Sequence, residues 1–281
     1  MHTTDELIDL ALKEDIGIGD ITTENLIGPD LHGTAAIVAK ENLTICGFDV
    51  VHKVFQRLDP KIKYIPHFSD GDNILSGQTV LEMEGNLAAL LSGERTALNF
   101  MQRLSGIATL TRSYLKYIKN TKVRLVDTRK TTPGLRALEK YAVRMGGGFN
   151  HRIGLYDGVL IKDNHIAACS GISKAVDQIK SKISHLIKIE VETTTLSQVK
   201  EALLAEADVI MLDNMDLDQI RKAVAIIDGK ALVEVSGGVT EEKLGQLVGT
   251  GVDLISVGAL THSARAMDLS MRINAAPKED N

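Results

Sequence analysis

The chain contains no tryptophan, and only five phenylalanines and five tyrosines stand among its 281 residues. So few rings argue against a site that grips its ligand by stacking, and leave charge as the means of recognition. The two cysteines, Cys46 and Cys169, are too few for a disulfide framework, and their spacing fits no zinc motif. Free thiols in a reducing compartment are expected. No run of about 18 apolar residues occurs, so no membrane span is expected. The opening Met-His-Thr-Thr-Asp-Glu lacks the basic and apolar regions of a secretory leader. A cytoplasmic protein is the expectation. An excess of positive charge is missing too: 32 Lys and Arg against 37 Asp and Glu leave a net charge of −5. That is the wrong sign for a general nucleic-acid binder, which must offset phosphate charge. With 44% hydrophobic residues, the composition suits a folded chain with a large core and excludes whole-chain disorder.

What is present reads in two styles. Residues 3–14 have the pattern of a short amphipathic helix with Leu7, Leu10 and Ala11 on one face. Residues 34–84 hold short apolar runs, Ala35–Ala39, Ile62–Ile65 and Val80–Met83, punctuated as strands are by Gly, Pro, Asn and Asp. A long helix is expected over 93–119, where Ala97, Phe100, Met101, Leu104, Ile107 and Ala108 recur at helical spacing. From residue 121 onward the chain falls into strand–helix units. The expected strands are Val123–Val126, Val159–Ile161, Leu186–Val191, Val209–Leu212, Leu232–Val235 and Leu254–Val257. Helices are expected over Leu135–Met145, Ile172–Ile183 and Leu217–Ile227, from Leu196 and Glu241, and finally over Ala264–Ile273. The strands are short and nearly all apolar, as strands covered on both faces are. Regular alternation of this kind is the pattern of β/α architecture.

The chemistry-bearing residues sit at the carboxyl ends of these strands. Asp127, Thr128, Arg129 and Lys130 follow the first; Lys162, Asp163, Asn164 and His165 follow the second. Glu190 and Glu192, Asp213 and Asn214, Ser236-Gly237-Gly238, and Gly258-Ala259 end the others. In β/α barrels that end carries the active site. Individual N-caps account for some of these residues, but not for the whole set. Residues 124–152 hold seven cations, Arg124, Arg129, Lys130, Arg136, Lys140, Arg144 and Arg152, against two anions, Asp127 and Glu139. Lys140, Arg144 and Arg124 suit a solvated surface. Arg129, Lys130, Arg152 and Lys162, with His151, suit the capture of a small polyanion. Ser236-Gly237-Gly238 and Val257-Gly258-Ala259 end the last two strands, where backbone N–H groups and a following helix N-terminus receive phosphate. Glu192 and Asp213, ending adjacent strands, suit Mg²⁺ or sugar hydroxyls; salt bridges to Lys130 and Lys162 are the plainer reading. Gly146-Gly147-Gly148 follows a helix and so is no dinucleotide fingerprint.

Several of these stretches together resemble one family. Glu14-Asp15 with Gly17, Gly19, Asp20 and Thr22-Thr23 is similar to its N-terminal motif, and Glu94-Arg95-Thr96-Ala97-Leu98-Asn99 to its inter-domain helix. Asp127-Thr128-Arg129-Lys130-Thr131-Thr132-Pro133-Gly134-Leu135-Arg136 resembles its signature. Asn150-His151-Arg152, Leu160-Ile161-Lys162-Asp163-Asn164-His165 and Met211-Leu212-Asp213-Asn214 follow in the family order. The chain is identified as resembling, end to end, the quinolinate phosphoribosyltransferases.

The resemblance implies an α/β fold: an N-terminal α/β sandwich over 1–106 and an incomplete seven-stranded β/α barrel over 107–263, with a C-terminal helix over 264–281 as a candidate addition to the sandwich. It implies transfer of phosphoribosyl from phosphoribosyl pyrophosphate to quinolinate with loss of CO₂, in the synthesis of pyridine nucleotides. It implies a homodimer in which Arg95 reaches the partner's site. Arg129, His151 and Arg152 would hold the quinolinate carboxylates, with Thr128 beside them and Lys130 and Lys162 between the two substrates. Glu192 and Asp213 would face the ribose and Mg²⁺, Glu192 being preferred to Glu190 for its spacing to Asp213. Ser236, Gly237, Gly238, Val257, Gly258, Ala259 and His262 would bind phosphate. No organic cofactor is implied. Two other readings are a sister enzyme that uses nicotinate or another aromatic acid, and a non-catalytic barrel that senses a phosphorylated metabolite.

Overall fold

The computed structural model describes residues 4–275. In chain order the elements are α1 (Thr4–Ile16), α2 (Ile21–Leu26), β1 (His32–Ala39), β2 (Leu43–Thr44), α3 (Phe48–Leu58), β3 (Lys63–Pro66), β4 (Asn73–Ile74), β5 (Thr79–Asn86) and α4 (Leu87–Leu115). There follow β6 (Arg124–Val126), α5 (Arg136–Met145), β7 (Val159–Ile161), α6 (Asp163–Cys169), α7 (Ile172–Lys180), β8 (Ile189–Thr193) and α8 (Leu196–Leu204). The last are β9 (Val209–Asp213), α9 (Leu217–Ile227), β10 (Leu232–Ser236), α10 (Glu241–Leu247), β11 (Leu254–Ser256), α11 (Ala259–His262) and β12 (Leu269–Ala275). Two compact units result. One takes in the chain up to Arg112, the segment Thr132–Gly147 and the chain from Ser263; the other is Ser113–Thr131 with Gly148–His262.

The first unit is built on an antiparallel sheet in the order β12-β1-β5-β3. The inward residues of β1 and β5, among them Ile37, Leu81 and Met83, are buried with Phe55 of α3 and with Leu98, Met101 and Ile107 of α4. Gly106 lets α4 come close to the chain before β12: a β-carbon there would lie 1.9 Å from the Arg265 carbonyl oxygen. Three expectations are corrected in this unit. In α1 the buried residues are Ile8 and Leu12, while Leu10 is exposed; the apolar face lies one position on from the expected one. The runs Ala35–Ala39, Ile62–Ile65 and Val80–Met83 correspond to β1, β3 and β5, and between the first two lies the helix α3, whose Phe48, Val51, Val54 and Phe55 bury one face at helical spacing.

The expected C-terminal helix is a strand. Leu269 and Met271 alternate with Ser270 and Arg272 and pair antiparallel with β1, Met271 opposite Ile37. A short apolar run suits either period, and the free edge of β1 decides it. Glu41 anchors this return, taking the Arg265 guanidinium and the Asp268 N–H. That pairing holds the Glu41 carboxyl down at about 2, chiefly through the arginine hydrogen bond. Residue 3 of the expected first helix and 276–281 of the expected last one lie outside the described residues.

Lys140 is not on a solvated face: it is buried on α5 beside Glu139. Arg124 and Arg144 are exposed as expected, each over a ring, Phe149 and Tyr141 respectively. Glu139 is fully buried and takes the Arg103 guanidinium at 2.8 Å, the Thr132 hydroxyl at 2.8 Å and the Thr132 N–H at 3.1 Å.

The second unit is a six-stranded parallel sheet in the order β6-β11-β10-β9-β8-β7. In place of a seventh strand, Phe149 makes a one-residue parallel bridge to Val126 of β6. Helix starts are secured by short polar side chains: Thr195 caps α8, Asp216 caps α9 and Thr240 caps α10. The third expected strand is displaced along the chain. Leu186 is exposed, and β8 runs Ile189–Thr193, which places Glu190 and Glu192 on one face of a single strand.

Candidate active site

β6 and β7 are opposite edges of the sheet, yet the residues that follow both line one cavity of about 580 Å³. The sheet therefore curls into an open barrel, and its carboxyl end forms a mouth. Thr128, Arg129 and Lys130 beyond β6, His151 and Arg152, Lys162 beyond β7, Glu192 on β8, Asp213 on β9 and Ser236-Gly237-Gly238 at β10 all line it. Eleven residues expected from the sequence are thus brought together by the strand ends that carry them.

Buried Asp127 ends β6 and organises the segment that supplies His151 and Arg152. Its carboxylate accepts the Asn150 amide at 2.6 Å and the His151 backbone N–H at 2.8 Å. The His151 ring is held at both nitrogens. Its Nδ1 accepts the Arg152 backbone N–H at 2.8 Å, so in the neutral ring Nε2 carries the proton and donates it to Glu190 at 2.9 Å. This differs from the role the resemblance implies, since neither nitrogen is left for a substrate carboxylate. Arg152 donates through Nη1 to the Gly158 carbonyl at 3.0 Å. Burial, then repulsion from Arg129, draws its guanidinium below the ordinary value, while Glu190 and Asp157 oppose the shift. Two arginines held close enough to repel are relieved by an anion placed between them.

Lys162 begins α6, where its backbone N–H donates to Nδ1 of His165 at 3.0 Å. Its Nζ lies 2.9 Å from Oε2 of Glu192. Asp213 accepts the Asn214 side-chain amide at 2.8 Å. The Ser236-Gly237-Gly238 turn runs through positive φ, +94° at Gly237 and +55° at Gly238. A β-carbon on Gly237 would lie 2.2 Å from Oδ1 of Asn214. Only glycine fits there, and its bare backbone is left to approach a ligand.

Val257, Gly258, Ala259 and His262 are not among the cavity-lining residues. Gly258 and His262 pack beside Lys130 instead: a β-carbon on Gly258 would meet the Lys130 side chain at 2.9 Å and the His262 ring at 3.2 Å. Thr261 donates its hydroxyl proton to the Lys130 carbonyl at 2.8 Å. Arg95 is exposed on α4, in the first unit.

The two glutamates of β8 differ in depth. Glu192 lines the mouth, half-buried; Glu190 is buried beneath it against His151. Glu234, two residues before Ser236 and on the same face of β10, is buried at that lower level, with Oε1 at 3.7 Å from His151 Nε2. Glu234 is the residue sequence reasoning missed. Its signal was a carboxylate inside an otherwise apolar strand, Leu-Val-Glu-Val-Ser, at the parity of a site residue. His165 and Asp127 were visible as motif letters without roles. No helix among the described residues is long and apolar enough to cross a membrane.

The C-terminal domain profile of quinolinate phosphoribosyl transferase matches residues 107–272, and the N-terminal domain profile matches residues 20–105. The chain is 47% identical over 268 residues to a probable nicotinate-nucleotide pyrophosphorylase [carboxylating] of Bacillus subtilis, covering 95% of this chain and 92% of that protein. The structure of NadC from Streptococcus pyogenes superposes with a TM-score of 0.94 at 40% identity, over 97% of this chain and 96% of that one. The nicotinate-nucleotide pyrophosphorylase of Francisella tularensis does so at 0.92 and 43%, over 96% of each.

Proposed function

The chain belongs to the quinolinate phosphoribosyltransferase family, and on that premise we propose how the barrel mouth performs the family's reaction. The enzyme transfers phosphoribosyl from phosphoribosyl pyrophosphate to the ring nitrogen of quinolinate, releasing pyrophosphate, and the 2-carboxylate then leaves as CO₂. The product is nicotinate mononucleotide. The observation that carries the reading is the mouth itself, where four cations, three carboxylates and a glycine turn converge on one cavity.

Both substrates are polyanions, and bringing them together requires cations from several strands at once. Arg129 and Arg152 take the two quinolinate carboxylates, whose geometry suits guanidinium forks. The electrostatic strain between these arginines supports that assignment, because an anion between them lowers it. Lys130 and Lys162 lie where the pyrophosphate and the carboxylates meet. The Ser236-Gly237-Gly238 turn offers backbone N–H groups to the ribose phosphate. His151 supports Arg152 from below rather than touching substrate. Arg95 of the partner subunit completes the site in a homodimer.

Glu192 and Asp213 fit Mg²⁺, a hard ion that takes one or two carboxylates together with substrate phosphates. When bound there, the ion neutralises charge on the pyrophosphate. The same carboxylates favour the positive charge that develops on the ribose as pyrophosphate departs. Ring nitrogen then attacks the ribose carbon, becomes cationic, and stabilises the electron pair left at C2 when CO₂ leaves. Orientation and electrostatics carry the catalysis, with no covalent enzyme intermediate.

The test is an assay with purified protein, phosphoribosyl pyrophosphate and Mg²⁺, with quinolinate and nicotinate in parallel. CO₂ and mononucleotide from quinolinate alone are expected. Product from nicotinate only, or from neither, overturns the substrate assignment and with it the roles of Arg129 and Arg152.

A further inference from the structure

Decarboxylation leaves an electron pair at C2 of the ring, and that carbon must gain a proton while substrates fill the mouth. The barrel contains a candidate source. A second cavity of about 530 Å³ opens among the amino ends of the strands, lined by Arg124, Val159, Lys188, Val209, Leu232 and Leu254. It shares His151, Arg152 and Glu234 with the mouth cavity. The two spaces therefore meet at one layer of the barrel interior, where His151, Glu190 and Glu234 bring ligand atoms within 4.8 Å of one another.

Three features of that layer point to a proton rather than a metal ion. Nε2 of His151 carries its hydrogen, because Nδ1 accepts the Arg152 N–H, so the ring offers no lone pair toward the carboxylates. A cationic group, the Arg152 guanidinium, already acts on Glu190. The buried Oε1 atoms of Glu190 and Glu234 have no hydrogen-bond partner. An orphaned oxygen at this depth is costly as a carboxylate and much less so as part of a neutral acid.

We propose that Glu234 is the acid that protonates C2, and that it is recharged by water from the cavity at the amino ends of the strands. The inference rests on the reaction assigned above. In the step, the bond from C2 to the carboxylate breaks, CO₂ leaves, and the pair stays on C2 beside the cationic nitrogen. That pair takes the proton from Glu234, whose O–H electrons remain on its carboxylate. Nε2 of His151, 3.7 Å away, faces the carboxylate so formed. Water then returns the proton, so one proton from solvent is consumed per turnover, as the stoichiometry requires.

The ionisation of Glu234 agrees with this. Burial, then the facing charge of Glu190, pushes its carboxyl up to about 7, against smaller opposing effects of His151 and Ser256. The charged or titratable groups around it are Glu190 on β8 and His151 and Arg152 before β7, with Arg129, Lys130, Lys162, Glu192 and Asp213 in the mouth above and Arg124, Asp157 and Lys188 in the lower cavity. A carboxyl with that value is half protonated near neutrality, where an acid catalyst is most effective.

The experiment is a single-turnover measurement of pyrophosphate and CO₂. Wild type should release them one to one from quinolinate. No CO₂ from wild type would defeat the assigned reaction itself, which keeps that failure distinct. In Glu234→Gln the unprotonated C2 recaptures CO₂ before it escapes, so the variant should release pyrophosphate but lag in net CO₂ by about a hundredfold or more, leaving ribosylated quinolinate. Glu234→Asp, which keeps an acid, should restore the one-to-one ratio at a reduced rate. Glu234→Gln with wild-type rates and a one-to-one ratio overturns the proposal. Should that variant fail to fold, carbon-13 labelling of glutamate carboxyls in the wild type decides. Glu234 should be protonated at about pH 6 and ionised at about pH 8, and a carboxylate already ionised at the lower pH overturns the proposal.

Discussion

Nζ of Lys162 lies 2.9 Å from Oε2 of Glu192 across the mouth of the barrel, joining the residue after β7 to the one near the end of β8. The lysine side chain is 47% exposed, so the pair contributes little to stability. Its value is positional: a cation and an anion are held ready for substrates of opposite local charge. Lys162→Ala should lower kcat by about a hundred- to a thousandfold while leaving the thermal midpoint within a degree or two. Turnover near wild type in a steady-state assay would remove Lys162 from the mechanism.

The phosphate turn allows a sharper test. Gly237 has φ +94° and no room for a β-carbon beside Asn214. Gly237→Ala should raise KM for phosphoribosyl pyrophosphate about tenfold or more through strain of about 1–3 kcal/mol, with a much smaller effect on KM for quinolinate. Equal changes in the two constants would place the turn elsewhere in the reaction.

Fully buried Glu139 takes the guanidinium of Arg103, whose side chain is 25% exposed, and Thr132 also donates to it. Removing Glu139 leaves the Arg103 guanidinium and the Thr132 donors without this acceptor. Arg103 keeps its hydrogen bond to the Ala264 carbonyl and some contact with water, so Glu139→Ala should cost about 1–3 kcal/mol in urea unfolding. A loss under about 1 kcal/mol would mean that water reaches Arg103 freely.

The raised carboxyl of Glu234 also sets a pH dependence of stability. Its value in the folded protein is about 7 against an ordinary 4.5, so the folded state holds the proton more tightly than the unfolded one. Its favourable contribution is therefore present below about pH 4.5 and is lost as pH rises through about 7, by at most about 3 kcal/mol. The stability of Glu234→Gln relative to wild type should rise between pH 5 and pH 8. A pH-independent difference in urea midpoints would contradict the burial of an ionisable group there.

Arg95 lies on α4 of the first unit and Lys162 in the second. If the site is shared between subunits, Arg95→Ala mixed with Lys162→Ala should regain activity. Random reassortment into twofold dimers places one intact site in each mixed dimer, about a quarter of wild-type activity overall. No recovery after confirmed subunit exchange would confine the site to one chain.

The β/α half was legible because its signals are local. Short β-branched runs, each followed by a polar or glycine residue, are strands covered on both faces with function at one end, and α9 stands at the residues its pattern predicts, Leu217–Ile227. The ends of the chain were less legible. Ala264–Ile273 has apolar residues that satisfy a helix period or a strand period, and only the open edge of β1 selects the strand. Leu10 and Ile8 are both apolar, and which one turns inward depends on what α1 packs against. The charge of Lys140 favours water, yet α5 buries it.

The sequence by itself determined the order of the β/α units, the family resemblance, and which cations and carboxylates stand at strand ends, because all three are written in neighbouring residues. Tertiary structure alone decided that Glu192 faces the mouth while Glu190 lies beneath it, that both His151 nitrogens are engaged, and that Glu234 joins them. Depth inside a curled sheet depends on how strands far apart in the chain are brought together, and side-chain parity along any one of them is the same at both levels.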